Sequence, residues 1–109
     1  MGHTNNVVEK RKGQVKSWSE LKSYIPQEIK PEHMNFLETY FRVQLRIADG
    51  RREKAKEIMN GLAKKTGFYV FELNNERLFA AIDVVVRGST NRKLGEEKPA
   101  FNLNPYYSK

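Results

Sequence analysis

The 109-residue chain contains no cysteine, and this absence removes several classes of site at once. Without thiols there is no disulfide framework, no thiolate-bound metal and no cysteine nucleophile. Histidine is nearly as scarce, since only His3 and His33 are present. A protein metal site usually draws on several His or Cys ligands at set spacing, so the sequence predicts neither a metal nor a cofactor.

Long apolar runs and clustered glycines are also missing. No apolar stretch approaches the ~18 residues that would cross a membrane, and MGHTNNVVEKRKGQ at the start lacks the apolar segment of a signal peptide. We therefore expect no membrane contact and a cytoplasmic location, in a host cell if the chain is virus- or plasmid-encoded. The glycines at 61, 67 and 88 are isolated, so the sequence contains no glycine-rich phosphate loop.

Carboxylates that could converge on a catalytic metal are few. Glu72, Glu76 and Asp83 form the one cluster near a predicted turn, where solvated charges are common in any case. We therefore expect a binding protein rather than an enzyme. A small Mg²⁺-dependent nuclease built on these three carboxylates is the enzymatic alternative.

Positive charge is what the chain has in excess. Lys and Arg number 20 against 13 Asp and Glu, which gives a formal net charge of +7 and an isoelectric point near 9.7. Such a surplus attracts polyanions over long range, and DNA, RNA and acidic protein surfaces are all of this kind. The charge therefore indicates a class of partner.

The first half of the chain predicts a basic arm followed by three helices. Residues 1–14 are polar and basic and are expected to form a flexible arm, with a single domain over 15–109. Helical spacing of apolar residues predicts a short helix over 17–25, with Ser17 or Ser19 as its cap, and a third helix over 51–65. The helix over 31–48 has two apolar stripes, so it should be the central one.

The second half of the sequence has a different apolar pattern, and both a strand and a helix fit residues 76–88. The aromatic and β-branched run at 68–73, the Asn74-Asn75 pair and the valines at 84–86 favour a β-hairpin. In that hairpin Asp83 would lie on the solvated face. A helical stripe fits 78–86 equally well, with Gly88 as its stop. We predict the hairpin, with strands over 68–73 and 77–86, and a third strand over 100–104, which together give an α+β fold with a small antiparallel sheet.

The segment KPAFNLNPYY at 98–107 resembles the end of the wing in winged-helix replication initiators of small Gram-positive plasmids. The resemblance covers ten residues of the 109. It implies a winged helix as the alternative fold, with a recognition helix over 75–87 before the wing.

Two groups of basic residues are candidate nucleic-acid contacts. The first surrounds the predicted turn between the second and third helices, where basic side chains would hold phosphates without sequence preference; it comprises Arg42, Arg46, Arg51, Arg52 and Lys54. Local pairing with Glu53 and Glu57 is the alternative explanation. The second group lies in the loop RGSTNRKLG, which could reach into a groove; it comprises Arg87, Asn91, Arg92 and Lys93.

These observations predict a nucleic-acid-binding protein, with DNA favoured over RNA, such as a phage- or plasmid-encoded accessory factor of replication or transcription. The alternative is a small protein adaptor, or an inhibitor of a host factor, that uses aromatic anchors. Tyr106 and Tyr107 would then bind the protein partner, or an exposed strand edge would build a homodimer.

Overall fold

The computed structural model describes residues 12–92, and that part of the chain contains five α-helices and no β-strand. In chain order they are α1 (Trp18–Lys22), α2 (Pro31–Ala48), α3 (Arg52–Ala63), α4 (Phe68–Asn74) and α5 (Glu76–Arg87). The predicted α+β fold, with strands over 68–73 and 77–86, is therefore wrong, and so is the winged-helix alternative. The third predicted strand, over 100–104, lies outside the described residues.

Helix α2 occupies the centre of the fold, as its two apolar stripes predict. Pro31 lies in its first turn, where the missing N–H is not needed by the helix. Leu37 and Phe41 from one stripe are buried, and so are Phe36 and Tyr40 from the other. Because both stripes are covered, α2 contacts α3, α4 and α5.

Helices α1 and α3 also form close to the predicted bounds. The Ser17 hydroxyl accepts a hydrogen bond from the Glu20 amide at 3.3 Å, which confirms the predicted cap of α1. Leu21 from α1 and Leu62 from α3 are almost fully buried. Each such leucine contributes about 1.5–3 kcal/mol by leaving water.

Helix α5 replaces the predicted hairpin because the segment is buried all round. Every residue from Leu78 to Val86 is buried, so the apolar pattern has no solvent-facing gap that could reveal its period. The low helix propensity of the valines costs only a few tenths of a kcal/mol per residue. Burial of each valine side chain stabilises the fold by more than that.

The two ends of α5 show why no hairpin turn forms. Asn75 has a φ of −133°, so the Asn pair does not supply the positive φ that a tight turn needs. Its side chain instead donates to the Phe71 carbonyl at the end of α4, at 2.9 Å. Gly88 has a φ of 91° and donates its N–H to the Val84 carbonyl at 2.8 Å, which ends α5 as the helical template requires.

The segment before α1 binds to the end of α5. Gly13 and Val15 donate their amides to the carbonyls of Val84 and Val85, each at 3.0 Å. Both carbonyls lie in the last turn of α5, and that of Val84 accepts from Gly13 in addition to Gly88. Residues 12–14 are the described part of the predicted arm, and residues 1–11 lie outside the described part of the chain.

Aromatic rings fill the space between α2, α4 and α5. The Phe79 ring packs edge-on against Phe68 and Phe71, with centroids 6.0 and 5.7 Å apart. His33 stacks on Phe71 with centroids 4.3 Å apart, so its imidazole is half-buried. This cluster holds the short helix α4 against the longer helices.

Candidate functional site

The predicted phosphate-binding residues lie on a hairpin formed by α2 and α3. The two helices are joined by residues 49–51 and run antiparallel, since the start of α2 and the end of α3 also line a common pocket. Gly50 has a φ of 80°, and the Arg51 amide donates to the Arg46 carbonyl at 2.8 Å. The turn is thereby closed by backbone contacts, and its side chains point outward.

Two of the basic residues on this hairpin have acidic partners. Arg42 contacts Glu38 at 3.5 Å, and Lys54 contacts Glu57 at 3.9 Å. More than half of each basic side chain remains exposed. Exposed pairs of this kind contribute at most about 1 kcal/mol and are screened by salt. Both residues can therefore exchange their partner for a phosphate at low cost.

Arg51, Arg52 and Lys56 are exposed at the start of α3, and no carboxylate of residues 12–92 forms an ion pair with them. Arg51 is the residue that precedes α3, and its side chain makes no capping hydrogen bond. The free N–H groups of a helix start carry partial positive charge. We therefore find like charges concentrated at one end of α3.

An open groove of about 620 Å³ separates the end of α2 from the start of α3. Arg52, Glu53 and Lys56 lie along one side of it. Apolar and polar side chains from the other elements line the rest; they are Tyr40, Val43, Gln44, Ile47, Ala55, Met59, Glu72 and Arg92. Arg52 and Arg92, which come from the two predicted groups, thus border the same groove.

Arg92 is tied into the fold by a set of contacts that we call the Arg92 network, comprising Tyr40, Glu72, Asp83, Thr90 and Arg92. The guanidinium donates to Glu72 at 2.9 Å, to Asp83 at 3.2 Å and to the Tyr40 hydroxyl at 2.7 Å. It also lies 5.3 Å from the centroid of the Phe79 ring. The residue that we predicted to probe a nucleic-acid groove therefore joins α2, α4 and α5.

Asp83 is the buried acceptor at the centre of the network. Only 2% of the residue is exposed, so its predicted solvated position was wrong. Tyr40 donates to one carboxylate oxygen at 2.5 Å, while Thr90 and Arg92 donate to the other. A buried carboxylate without such donors would cost several kcal/mol. The network supplies these donors, and the most distant of them in sequence, Tyr40, is 43 positions from Asp83.

Burial and charge act together on the ionisation of the network. Burial raises the pKa of the Tyr40 hydroxyl well above its usual value, and the Asp83 carboxylate raises it further. Burial alone would lower the pKa of Arg92, but Tyr40, Asp83 and Glu72 outweigh that effect and raise it. Tyr40 therefore stays neutral and Arg92 stays charged at ordinary pH.

The remaining residues of the loop group have separate positions. Arg87 donates from Nε to the side-chain oxygen of Gln44 at 2.6 Å, which joins α5 to α2. Asn91 is exposed. Lys93 lies outside the described residues, as do the predicted partner-binding residues Tyr106 and Tyr107. The structure thus brings Arg87 and Arg92 into the molecule and leaves Asn91 facing solvent.

The three carboxylates of the nuclease alternative are not arranged around a common ion site. Glu72 and Asp83 both bind Arg92. Within residues 12–92 no group of three or more His, Asp or Glu side chains could hold a metal ion.

Sequence reasoning missed the Arg92 network, although one signal of it is present. Asp83 is the single charged residue in the apolar run 78–86. A charge in a buried segment requires a partner. The identity of that partner depends on tertiary contacts, which the local pattern does not contain.

No helix within the described residues is both long enough and apolar enough to cross a membrane. Comparison of the chain with protein-family models, with curated proteins and with solved structures finds no significant match.

Proposed function

We propose that this protein binds nucleic acid through phosphate contacts made by the α2–α3 hairpin. The observation that carries the proposal is the group of exposed, unpaired basic side chains at the start of α3, namely Arg51, Arg52 and Lys56. Such a group binds a polyanion more favourably than a single anion, because a polyanion contacts several of the cations at once.

Electrostatics at the start of α3 favour an anionic ligand. Two arginines beside the partial positive charge of a helix start repel it, at a cost of a few tenths of a kcal/mol each. A phosphate bound there would be attracted both by the arginines and by the free N–H groups of the helix start, so it would offset the repulsion between them. The arrangement is unfavourable in isolation and favourable with an anion bound.

Contacts to phosphate position a protein on nucleic acid without reading its sequence. Arg87 and Arg92 bind inside the protein, which leaves Arg46 and the residues around the turn as the main candidates. We therefore expect weak sequence preference and strong dependence on salt.

Duplex DNA fits this surface better than a single strand. Proteins that bind single strands present aromatic side chains on which bases stack. The exposed large hydrophobic residues of the described chain are Tyr69, Val70 and Leu73, all on α4, and none lies on the hairpin. We therefore propose DNA as the partner and the cytoplasm as the location of the protein.

The test is a fluorescence anisotropy titration of labelled double-stranded DNA, single-stranded DNA and double-stranded RNA of equal length. We expect tightest binding to the DNA duplex, with a loss of about 10-fold or more in affinity between 50 and 200 mM salt. Absence of binding to all three ligands at 50 mM salt would refute the proposal.

A pair of charge-matched variants locates the contact. Arg51→Ala/Arg52→Ala removes two charges at the start of α3, and Lys64→Ala/Lys65→Ala removes two just past its end. The two positions are about 18–20 Å apart along the helix axis. We expect the arginine variant to weaken binding at least 10-fold and the lysine variant less than 3-fold. Equal losses of affinity in the two variants would show that binding depends on net charge and not on the position of the arginines.

A further inference from the structure

Helix α4 has an apolar face that the described part of the chain does not cover. Tyr69, Val70 and Leu73 are 61%, 64% and 69% exposed. Val70 and Leu73 follow Tyr69 by one and four positions, so the three side chains lie on one side of the helix. We call these three residues the α4 apolar face. These three adjacent apolar side chains form a small patch, and a segment that covered it would remove apolar surface from water.

The described chain ends directly beside this face. Arg92 is the last described residue, and its guanidinium binds Glu72, which lies on α4 between Val70 and Leu73. Tyr69, Glu72, Leu73, Glu76 and Arg92 border one shallow depression of about 310 Å³. The Arg92 network therefore fixes the point from which residues 93–109 begin, at the edge of the α4 apolar face.

The sequence that follows is suited to cover an apolar face. After the polar residues 93–98 come Phe101, Leu103, Tyr106 and Tyr107. Phe101 is nine positions past Arg92, and this stretch of chain spans up to ~30 Å when extended. Helix α4 is only about 10 Å long. All four apolar side chains are thus within reach of the face.

A second copy of the chain fits the face less well. One side of a seven-residue helix is about 10 Å long and about 10 Å wide. A stable protein interface buries ~800 Å² on each partner. The face is too small to hold a dimer alone, but it suits a short segment whose high local concentration comes from its covalent link.

We propose that residues 101–107 dock on the α4 apolar face of their own chain, with Val70 and Leu73 as the surface that receives Phe101 and Leu103. The Arg92 network holds the residue from which the segment starts close to this face. This contact involves no residue of the α2–α3 hairpin, so it is independent of nucleic-acid binding.

The absence of cysteine gives a direct test with the full-length chain. The variant Leu73→Cys/Leu103→Cys is treated with a short bismaleimide and analysed by denaturing gel and peptide mass spectrometry. The control is Lys22→Cys/Leu103→Cys. Lys22 is exposed on α1, which packs on Phe41, whereas α4 packs on Phe36. Those two phenylalanines point about 140° apart around α2.

Cross-linking within one chain for the 73/103 pair, at least 5-fold faster than for the 22/103 pair, is the expected result. Equal rates, or no cross-link for 73/103, would overturn the proposal. Cross-linking between two chains would overturn it in favour of a second copy as the occupant. Circular dichroism of each variant verifies that the helices are retained.

Limited proteolysis gives a second readout that needs no cross-linker. Chymotrypsin cleaves after Phe101 and Tyr106, and docking should protect both bonds. Leu73→Asp should raise the cleavage rate at these bonds several-fold, while Lys22→Asp should leave it unchanged. Rapid cleavage in the unmodified protein, at the rate seen in Leu73→Asp, would contradict the docked segment.

Discussion

At the scale of single residues, the Arg92 network decides how the second half of the molecule is held. It joins three helices through one guanidinium and one buried carboxylate. Removing Asp83 leaves the buried Tyr40 hydroxyl without its acceptor and leaves Arg92 with Glu72 as its one carboxylate partner in the network. Breaking a buried ion pair in this way typically costs 3–5 kcal/mol. For a domain with a total stability of about 5–15 kcal/mol, this is a large share.

Asp83→Ala is therefore expected to lower the free energy of unfolding by about 3–5 kcal/mol in urea denaturation. Asp49→Ala is the matched control, since Asp49 is exposed beyond the end of α2. A surface change of that kind falls within about 0.5 kcal/mol. Similar losses for the two variants would show that the network does not stabilise the fold.

The raised pKa of Tyr40 predicts a loss of stability in alkali. The folded state keeps the hydroxyl protonated above the pH at which an unfolded tyrosine, with a pKa near 10, ionises. The stabilisation is thus complete below about pH 10 and declines as the pH rises further.

Relative to Tyr40→Phe, the unmodified protein should lose unfolding free energy progressively as the pH rises above about 10, because the unfolded tyrosine ionises while the folded one stays protonated. Denaturation curves at several pH values measure this difference. Parallel pH profiles for the two proteins would contradict the assigned shift.

At the scale of secondary-structure elements, the sequence predicts the first half of the fold well and the second half poorly. Amphipathic stripes, Pro31 and a serine cap are local features, and they predict α1, α2 and α3 close to their observed bounds. Residues 78–86 are buried all round, so their pattern fits a strand and a helix equally. The choice between them depends on packing against α2, which is not a local property.

Two glycines test the end of helix α5 and the interior of helix α3. Gly88 has a φ of 91°, a conformation that costs an L-residue about 1–2 kcal/mol. Gly61 lies within α3, and a Cβ added there would meet nothing within 4 Å.

We expect Gly88→Ala to destabilise the protein by about 1 kcal/mol and Gly61→Ala to stabilise it by about 0.5–1 kcal/mol. Thermal denaturation followed by circular dichroism measures both changes. A neutral Gly88→Ala would mean that α5 does not end in the left-handed conformation.

At the scale of the whole molecule, the site divides into a part that the sequence predicts and a part that it does not. The basic residues around the α2–α3 turn are close in sequence and, apart from the half-buried Arg46, exposed, so their grouping follows from the helix prediction. The position of Arg92 depends on Tyr40, which is 52 residues away, and no local pattern contains that contact. The result is a compact helical body with a cationic turn at one end of its α2–α3 hairpin.

Nuclear magnetic resonance of the ¹⁵N-labelled protein, titrated with a short DNA duplex at low salt, tests the proposed interface most directly. The largest amide shifts should fall on Arg46, Arg51, Arg52 and their neighbours up to Lys56, and they should decrease as salt is added. The amides of Tyr69, Val70 and Leu73 should remain in place. Shifts concentrated on α4, or no shifts at a large excess of duplex, would contradict nucleic-acid binding by the α2–α3 hairpin.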